Sequence, residues 1–121
     1  MYIAYGTDVQ GNEFTESSKQ KVWQKASALV GVDPTIFRKD AQGSWMIYDE
    51  YGNTLSGYGW EIDHIYPKSK GGTDDINNLQ PLYWENNRAK ADKTGWEWGN
   101  EEIHLDENSK SIYKVRKDGI F

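Results

Sequence analysis

A strand pattern that ends abruptly is the feature that most constrains how this chain folds. The pattern begins near Tyr58 and runs to Ile65, after which Pro67 removes a ladder donor and Gly71-Gly72 favours a turn. The strand therefore cannot continue past this point. The sequence then predicts three elements in order: a loop over 68–78, a short returning strand over 79–82 and a helix over 83–93.

The rest of the chain adds short elements around this core. Thr15 or Ser17 is placed to cap a helix over about 16–30, and Gly31 is placed to end it. The predicted buried face of this helix is one stripe: Val22, Trp23, Ala26, Leu29 and Val30. Residues 33–37 are predicted to form either a turn or one helical turn. Strands are predicted at 2–5, 45–48, 102–105 and 111–115, so the predicted class is α+β.

Length and composition favour a single domain over residues 1–121. Six Trp and eight Tyr supply buried area where Leu and Ile are few, so we expect an aromatic core. The absence of Cys excludes disulfides and thiolate metal sites. No apolar run reaches membrane-spanning length, and residues 1–6 lack the pattern of a signal peptide, so we expect a cytoplasmic protein without membrane contact.

The charge of the chain is unevenly distributed. A net charge of -5 weighs mildly against a protein that coats nucleic acid. Residues 97–107 carry acids and no Lys or Arg, whereas basic side chains surround the strand–loop–helix segment: Lys68, Lys70, Arg88, Lys90 and Lys93. A small basic site on an acidic body can still hold a few phosphates. Scattered surface charge explains any single one of these lysines equally well.

Three side chains of this segment have the chemistry that phosphodiester hydrolysis needs. The reaction requires a base for the attacking water and positive charge at the phosphate and the departing 3′ oxygen. A neutral imidazole such as that of His64 can serve as the base, because its pKa lies near working pH. A hard divalent cation can supply the charge, and Asp63 and Asn87 offer the carboxylate and amide oxygens that it prefers.

Asp63 and His64 are adjacent, and adjacent side chains on a regular strand point to opposite faces. Both can work on one phosphate if the strand ends or bulges there, or if they act on different sides of that phosphate. Glu61 shares the strand face of Asp63 and is either an outer-shell acid or simply a polar residue.

Other polar residues of the segment suit supporting roles. Arg88 and Lys90, beside Asn87, and Lys68 in the loop are candidates for holding substrate phosphates. Asn78 suits the tying of loop backbone, because its amide can bond both N–H and C=O groups. His104 lies among acids, where a metal role is less favoured than simple solvation.

In their order and spacing these segments resemble the HNH endonuclease motif on the ββα-metal (His-Me finger) core. The resemblance covers about residues 58–93 and rests on four segments: Glu61-Ile62-Asp63-His64-Ile65-x-Pro67, Gly71-Gly72-Thr73-Asp74, Asn78-Leu79-Gln80-Pro81-Leu82 and Asn87-Arg88-x-Lys90-x-Asp92. A weaker similarity to small bacterial HNH proteins extends upstream, through Trp23 and Arg38-Lys39-Asp40. The family implies Asp63 and Asn87 as metal ligands, His64 as general base and Asn78 as the structural asparagine of the catalytic set.

Two departures from the family pattern affect the expected metals. The third signature position is Asn87 instead of histidine, a variant whose oxygen suits Mg²⁺ or Mn²⁺ better than a soft metal. Many family members also hold a structural zinc with two CxxC pairs, but here Tyr83 and Asn86 stand where the second pair would be. We therefore expect no structural zinc. Aromatic packing by Trp84, Trp60 or Trp23 is expected to replace it.

The favoured hypothesis is a Mg²⁺-dependent endonuclease, with Mn²⁺ or another divalent cation able to substitute, that cuts DNA with little sequence preference. The alternative is a catalytically silent ββα module that binds nucleic acid or a protein. The acidic net charge favours this alternative slightly, and the intact set of Asp63, His64 and Asn87 opposes it. The same module serves phage packaging, restriction and interbacterial toxins. A toxin would need an immunity protein as partner and would be secreted or delivered.

Overall fold

The computed structural model describes residues 5–93, 101–105 and 112–116. The helices and strands follow in the order α1 (Glu16–Trp23), β1 (Phe37–Lys39), β2 (Trp45–Ile47), β3 (Trp60–His64), β4 (Leu79–Tyr83), α2 (Trp84–Lys90), β5 (Glu101–Leu105) and β6 (Ile112–Arg116). The predicted α+β class is confirmed, as are the two strands after residue 100. The predicted strand at 2–5 lies almost entirely outside the described residues.

The predicted order of strand, loop, strand and helix is confirmed in β3, β4 and α2. β3 pairs antiparallel with β4, from Trp60 opposite Tyr83 to His64 opposite Leu79, and α2 begins directly after β4 and contacts both strands. The loop between the strands contains short 3-10 turns at Lys68–Lys70 and Ile76–Asn78. Among the described residues, no helix has the length and apolar character that crossing a membrane requires.

The first helix is shorter than its sequence pattern predicts. Thr15 caps it as expected, because its side-chain oxygen accepts a hydrogen bond from the Ser18 N–H at 3.1 Å. The predicted extension to residue 30 is wrong, since α1 ends at Trp23. Val30, expected on the buried face, is fully exposed.

Tertiary contacts with β1 explain this early end. The Arg38 guanidinium donates to the carbonyl oxygens of Gln24 at 3.3 Å and Ala26 at 3.1 Å. Ser27 and Lys39 exchange backbone hydrogen bonds of 2.9 and 3.0 Å. These carbonyl and N–H groups would otherwise continue the helix, so the segment after Trp23 follows β1 instead. The strand β1 itself was not predicted.

The core is built around Trp60, as the aromatic content predicts. Its buried ring lies 5.0 Å from Trp23, 4.8 Å from Tyr51 and 5.7 Å from Tyr48, measured between centroids. The other buried members of this cluster are aliphatic or aromatic: Phe14, Val22, Met46, Ile62 and Leu79. The core therefore joins α1 and β2 to the strands that follow residue 59.

A buried aspartate ties the β1–β2 hairpin to the start of α2. Asp40 is 3% exposed, and its Oδ1 accepts from the backbone N–H groups of Gln42 at 3.0 Å and Ser44 at 2.9 Å. Its Oδ2 accepts from the Tyr83 N–H at 3.0 Å and the Asn86 amide at 2.9 Å. Tyr83 and Asn86 are the positions of the second zinc-binding pair in many HNH proteins. Here a carboxylate links them to the hairpin, a contact that sequence analysis missed.

Candidate active site

Asn78 closes the loop that precedes β4. Its buried amide accepts from the Tyr66 N–H at 2.7 Å and donates to the carbonyl oxygens of Tyr66 at 3.1 Å and Thr73 at 2.8 Å. Gly72 packs so tightly here that a Cβ would overlap the Tyr66 carbonyl. These contacts fold the loop back on itself and bring Asp74 to the end of β3.

His64 is the last residue of β3, and its ring is buried beside Phe14, with 6.0 Å between the ring centroids. Its Nε2 lies 2.8 Å from Oδ1 of Asp74. Burial lowers the pKa of His64 below its ordinary value, and the hydrogen bond to Asp74 acts in the opposite direction. The lowered pKa favours a neutral imidazole near neutral pH.

Asp63 is buried on the other face of β3. The pairing with β4 is continuous through both residues, so Asp63 and His64 point to opposite sides at the strand end. Oδ2 of Asp63 accepts from the Gln80 amide at 2.9 Å, and the Lys90 ammonium lies 3.3 Å away. Burial raises the pKa of Asp63 to about 6, even though Lys90 and Gln80 lower it. Lys90 and Gln80 thus offset only part of the effect of burial on this carboxylate.

Glu61 orients Asn87 and Arg88. Its carboxylate accepts from the Asn87 amide at 2.9 Å and from both terminal nitrogens of Arg88, at 2.6 and 3.0 Å. A carboxylate acceptor requires Asn87 to present its NH₂ group, so the amide oxygen points away from Glu61. Within residues 5–93 that oxygen receives no hydrogen bond.

The predicted metal ligands share one interface between β3 and α2. Glu61 and Asp63 lie on one face of β3, and Asn87 and Lys90 lie one turn apart on α2. Glu61 contacts Asn87, and Asp63 contacts Lys90, so the four side chains form a quadrilateral. Asp63 and Asn87 occupy the two ends of one diagonal.

The basic residues predicted to hold phosphates all have partners within the protein. Arg88 pairs with Glu61, and its guanidinium lies 3.7 Å from the Tyr5 ring centroid. Lys68 donates to the Thr7 hydroxyl at 2.9 Å and the Thr7 carbonyl at 3.2 Å. Lys90 is fully buried and donates to the His64 carbonyl at 3.0 Å. Arg88 and Lys68 are partly exposed, whereas Lys90 is closed off from solvent.

Sequence analysis missed two partners of the site, Asp74 and Gln80. Gln80 had a usable signal, because antiparallel pairing through Trp60 and Tyr83 places it directly opposite Asp63. Asp74 lies in one of the four motif segments, but its contact with His64 was not predicted, because that contact depends on the loop conformation that Asn78 holds. The side chain of His104 lies outside the described residues.

The side chains at the β3–α2 interface fit a hard divalent cation. Asp63 offers a carboxylate whose pKa is raised by burial despite the nearby Lys90, and Asn87 offers an amide oxygen. Mg²⁺ accepts few protein ligands and completes its shell with water and substrate phosphates. Among the described residues no group of three or more His, Cys, Asp or Glu is arranged to hold a metal. The chemistry of this site is therefore that of a sparse oxygen-ligand site.

The spacing and the geometry of this site agree with a comparison against protein families. Residues 51–93 match the family model described as HNH endonuclease. This segment is therefore similar to HNH endonucleases over about a third of the chain. Asp63, His64, Asn78 and Asn87 all lie inside the matched segment of this nuclease family. Searches of curated proteins and of solved structures found no match.

Proposed function

We propose that this HNH protein is a divalent-metal-dependent endonuclease that hydrolyses DNA phosphodiester bonds. The observation that carries the proposal is the contrast between two adjacent buried residues on opposite faces of one strand end. Lys90 and Gln80 offset only part of the effect of burial on the pKa of Asp63, and the surroundings of His64 favour its neutral form. A metal ligand and a general base require these two opposite environments.

His64 takes the proton of the attacking water. Its lowered pKa keeps the imidazole neutral near pH 7, so a lone pair is available when water approaches. The side chain is buried at the end of β3, where the strand gives way to the loop held by Asn78. Asn78 thereby supports catalysis without touching the reacting atoms.

Asp63 and Asn87 would hold the divalent cation. When bound, the cation neutralises charge on the scissile phosphate and the 3′ leaving oxygen. Glu61 turns the amide oxygen of Asn87 away from itself, and Gln80 fixes one oxygen of Asp63. Asp63 and His64 face opposite sides of the strand end, so His64 would act on one side of the phosphate and the residues that would hold the cation would lie on the other.

The basic side chains near the site support this proposal in two ways. Lys90 donates to the His64 carbonyl and compensates part of the Asp63 charge, so it fixes the strand end against α2. Arg88 and Lys68 are partly exposed, and we assign to them the contacts with flanking phosphates. An overall acidic protein would then hold DNA only around the site.

A plasmid-nicking assay tests the function. Wild-type protein with supercoiled DNA and Mg²⁺ is compared with His64→Ala, with His104→Ala as the matched control on the other histidine of the chain. Loss of a general base is expected to lower the nicking rate by about 10²- to 10⁴-fold. Chelation should stop nicking, and the nicks should be sealed by a ligase that needs 5′ phosphate and 3′ hydroxyl ends. A His64→Ala rate equal to wild type would refute the proposal.

The second candidate function is a catalytically silent module that binds a protein. One observation favours it: Arg88, Lys68 and Lys90, the residues predicted to hold phosphates, all contact groups of the protein itself. Calorimetry separates the two functions. Binding of Mg²⁺ or Mn²⁺ in the presence of DNA supports the nuclease, and absence of binding supports the silent module.

A further inference from the structure

Asp74 contacts the candidate general base, yet neither the motif nor the proposed chemistry gives it a role. It stands in the loop between β3 and β4, and its Oδ1 lies 2.8 Å from Nε2 of His64. We propose that Asp74 is a positioning residue for His64. It accepts the hydrogen of Nε2 and so leaves Nδ1 as the nitrogen that takes the proton from water.

The hydrogen-bonding capacity of the two groups decides which ring nitrogen of His64 carries the hydrogen. A neutral imidazole carries a hydrogen on one ring nitrogen only and a lone pair on the other. A carboxylate oxygen is an acceptor, so the nitrogen that faces it must carry the hydrogen. Asp74 therefore selects the Nε2–H tautomer and fixes the ring orientation. Within residues 5–93, Nδ1 of His64 has no hydrogen-bond partner.

Asp74 is itself held from two directions. The Val9 N–H donates to both carboxylate oxygens, at 3.1 and 3.2 Å. On the other side, Asn78 bonds the carbonyl of Thr73, the residue just before Asp74. Lys68 joins the two parts, because its ammonium contacts Thr7 in the same turn as Val9. A carboxylate fixed in this way can set the angle of an imidazole.

The turn that holds Asp74 lies outside the family match, which begins at residue 51. Thr7 and Val9 thus add to the HNH domain a support that the matched segment does not contain. The catalytic part of this inference rests on the proposed function, since only a reacting His64 needs a defined base nitrogen. The tautomer itself can be measured whether or not the protein cuts DNA.

Nitrogen-15 NMR of the histidine side chains tests the tautomer directly. The chain has two histidines, so a His104→Gln sample assigns the His64 signals. In wild type above pH 7, we expect the hydrogen on Nε2 of His64. Its N–H resonance should lie downfield, and the carboxylate of Asp74 should slow its exchange with solvent. Asp74→Ala should lose that resonance. Asp75→Asn is the matched control, because Asp75 instead caps the 3-10 turn through the Asn77 N–H at 2.9 Å.

Kinetics on the same variants separate positioning from folding. Asp74→Ala is expected to lower kcat by about 10- to 100-fold, as when a partner that orients a histidine is removed, with KM unchanged. Asp74→Asn keeps a neutral acceptor oxygen for Nε2–H and should retain the resonance, with a rate between Asp74→Ala and wild type. Asp75→Asn should match wild type in both measurements.

Two results would overturn the inference. One is a wild-type spectrum with the His64 hydrogen on Nδ1, and the other is an Asp74→Ala protein that keeps the wild-type resonance and rate. If Asp74→Ala does not fold, the wild-type and Asp74→Asn spectra decide. A His64→Ala protein that nicks normally would remove the proposed function and leave the tautomer result standing. Loss of nicking in His64→Ala with the hydrogen on Nδ1 would remove only the role of Asp74.

Discussion

Two buried aspartates of this protein, Asp40 and Asp63, have similar exposure and opposite surroundings. Asp40 is 3% exposed and Asp63 is 6% exposed. Asp40 accepts four hydrogen bonds of 2.9 to 3.0 Å from neutral donors that belong to the loop and the start of α2. Asp63 accepts one such bond, from Gln80, and has Lys90 at 3.3 Å.

The difference separates an acid with a structural role from the proposed metal ligand. A carboxylate with all its lone pairs bonded holds the parts around it in place, and no cation is needed there. A carboxylate that burial leaves poorly compensated destabilises the fold until it binds a proton or a cation. Asp40 thus holds α2 in position, and α2 in turn places Lys90 against Asp63. Changes at either residue should therefore affect different measurements.

The largest expected effect is on stability, in Asp40→Ala. The variant leaves four donors without an acceptor, and each costs about 1–3 kcal/mol when buried, so we expect unfolding to become easier by about 4 kcal/mol. Asp49→Ala, at an exposed aspartate, is the control and should change stability by less than about 0.5 kcal/mol. Urea unfolding measures both. A loss below about 1 kcal/mol in Asp40→Ala would contradict the structural role.

The next effect concerns the charged pair at the site. In Asp63→Asn/Lys90→Met both charges are removed, while the new amide oxygen can still accept from Gln80. Replacement of a buried ion pair by neutral groups is often neutral or stabilising by about 1–4 kcal/mol. We expect a protein at least as stable as wild type that no longer nicks DNA. Lys90→Met alone should be less stable than the double variant, because it leaves the charge of Asp63 uncompensated. The reverse order of stability would contradict a charged Asp63 that depends on Lys90.

The pH dependence of the free energy of unfolding reports the contribution of Asp63. Its pKa in the folded protein is about 6, against 3.8 as the ordinary value, so the folded state binds the proton more tightly. This stabilisation is complete below pH 3.8 and is lost as the pH rises through 6, a total of about 3 kcal/mol.

His64 acts with the opposite sign. Its lowered pKa gives a contribution that is present above pH 6.5 and is lost as the pH falls. Both wild type and Asp63→Asn contain His64, so its contribution cancels when the two are compared. With chelator present, the unfolding free energy of wild type minus that of Asp63→Asn should therefore decrease from pH 4 to pH 7. A difference that stays constant over this range would contradict the raised pKa of Asp63.

The smallest expected effect belongs to Gln80, which fixes one Asp63 oxygen without providing a ligand. Gln80→Ala removes that hydrogen bond, and we expect Mg²⁺ affinity to fall by about tenfold, near the lower limit for outer-shell partners. Calorimetry with Mg²⁺ and DNA measures the change. Gln42→Ala serves as the control on an exposed glutamine, and equal affinities in both variants would remove Gln80 from the metal site.

The core segment could be predicted because its signals are local. Pro67 and Gly72 fix where β3 ends and where the loop turns, and the spacing of Asp63, His64, Asn78 and Asn87 identified the family. Backbone sterics and chemical type decide such features, so they are readable from a single sequence. The metal ligands and the base remain predictions that the nicking assay tests.

The contacts that could not be predicted depend on distant parts of the chain. α1 stops at Trp23 because Arg38, 15 residues further on, takes the carbonyls of the following turn. Asp40 reaches Tyr83 across 43 positions, and no periodic pattern marks that pair. Lys90 is an intermediate case, since its position three residues after Asn87 places it on the same face of α2. That face is buried, which explains why Lys90 contacts Asp63.

The arrangement of the core limits how the matched segment can be moved into another protein. The rings of Trp23 and Tyr48 cover Trp60, and the Val9 N–H holds Asp74, yet all three residues precede the matched segment. A graft of residues 51–93 into another protein would bring Asp63, His64 and Asn87 without the surfaces that cover and orient them. The portable unit of this protein is therefore larger than its motif, and a host would have to supply an aromatic surface for Trp60 and a donor for Asp74.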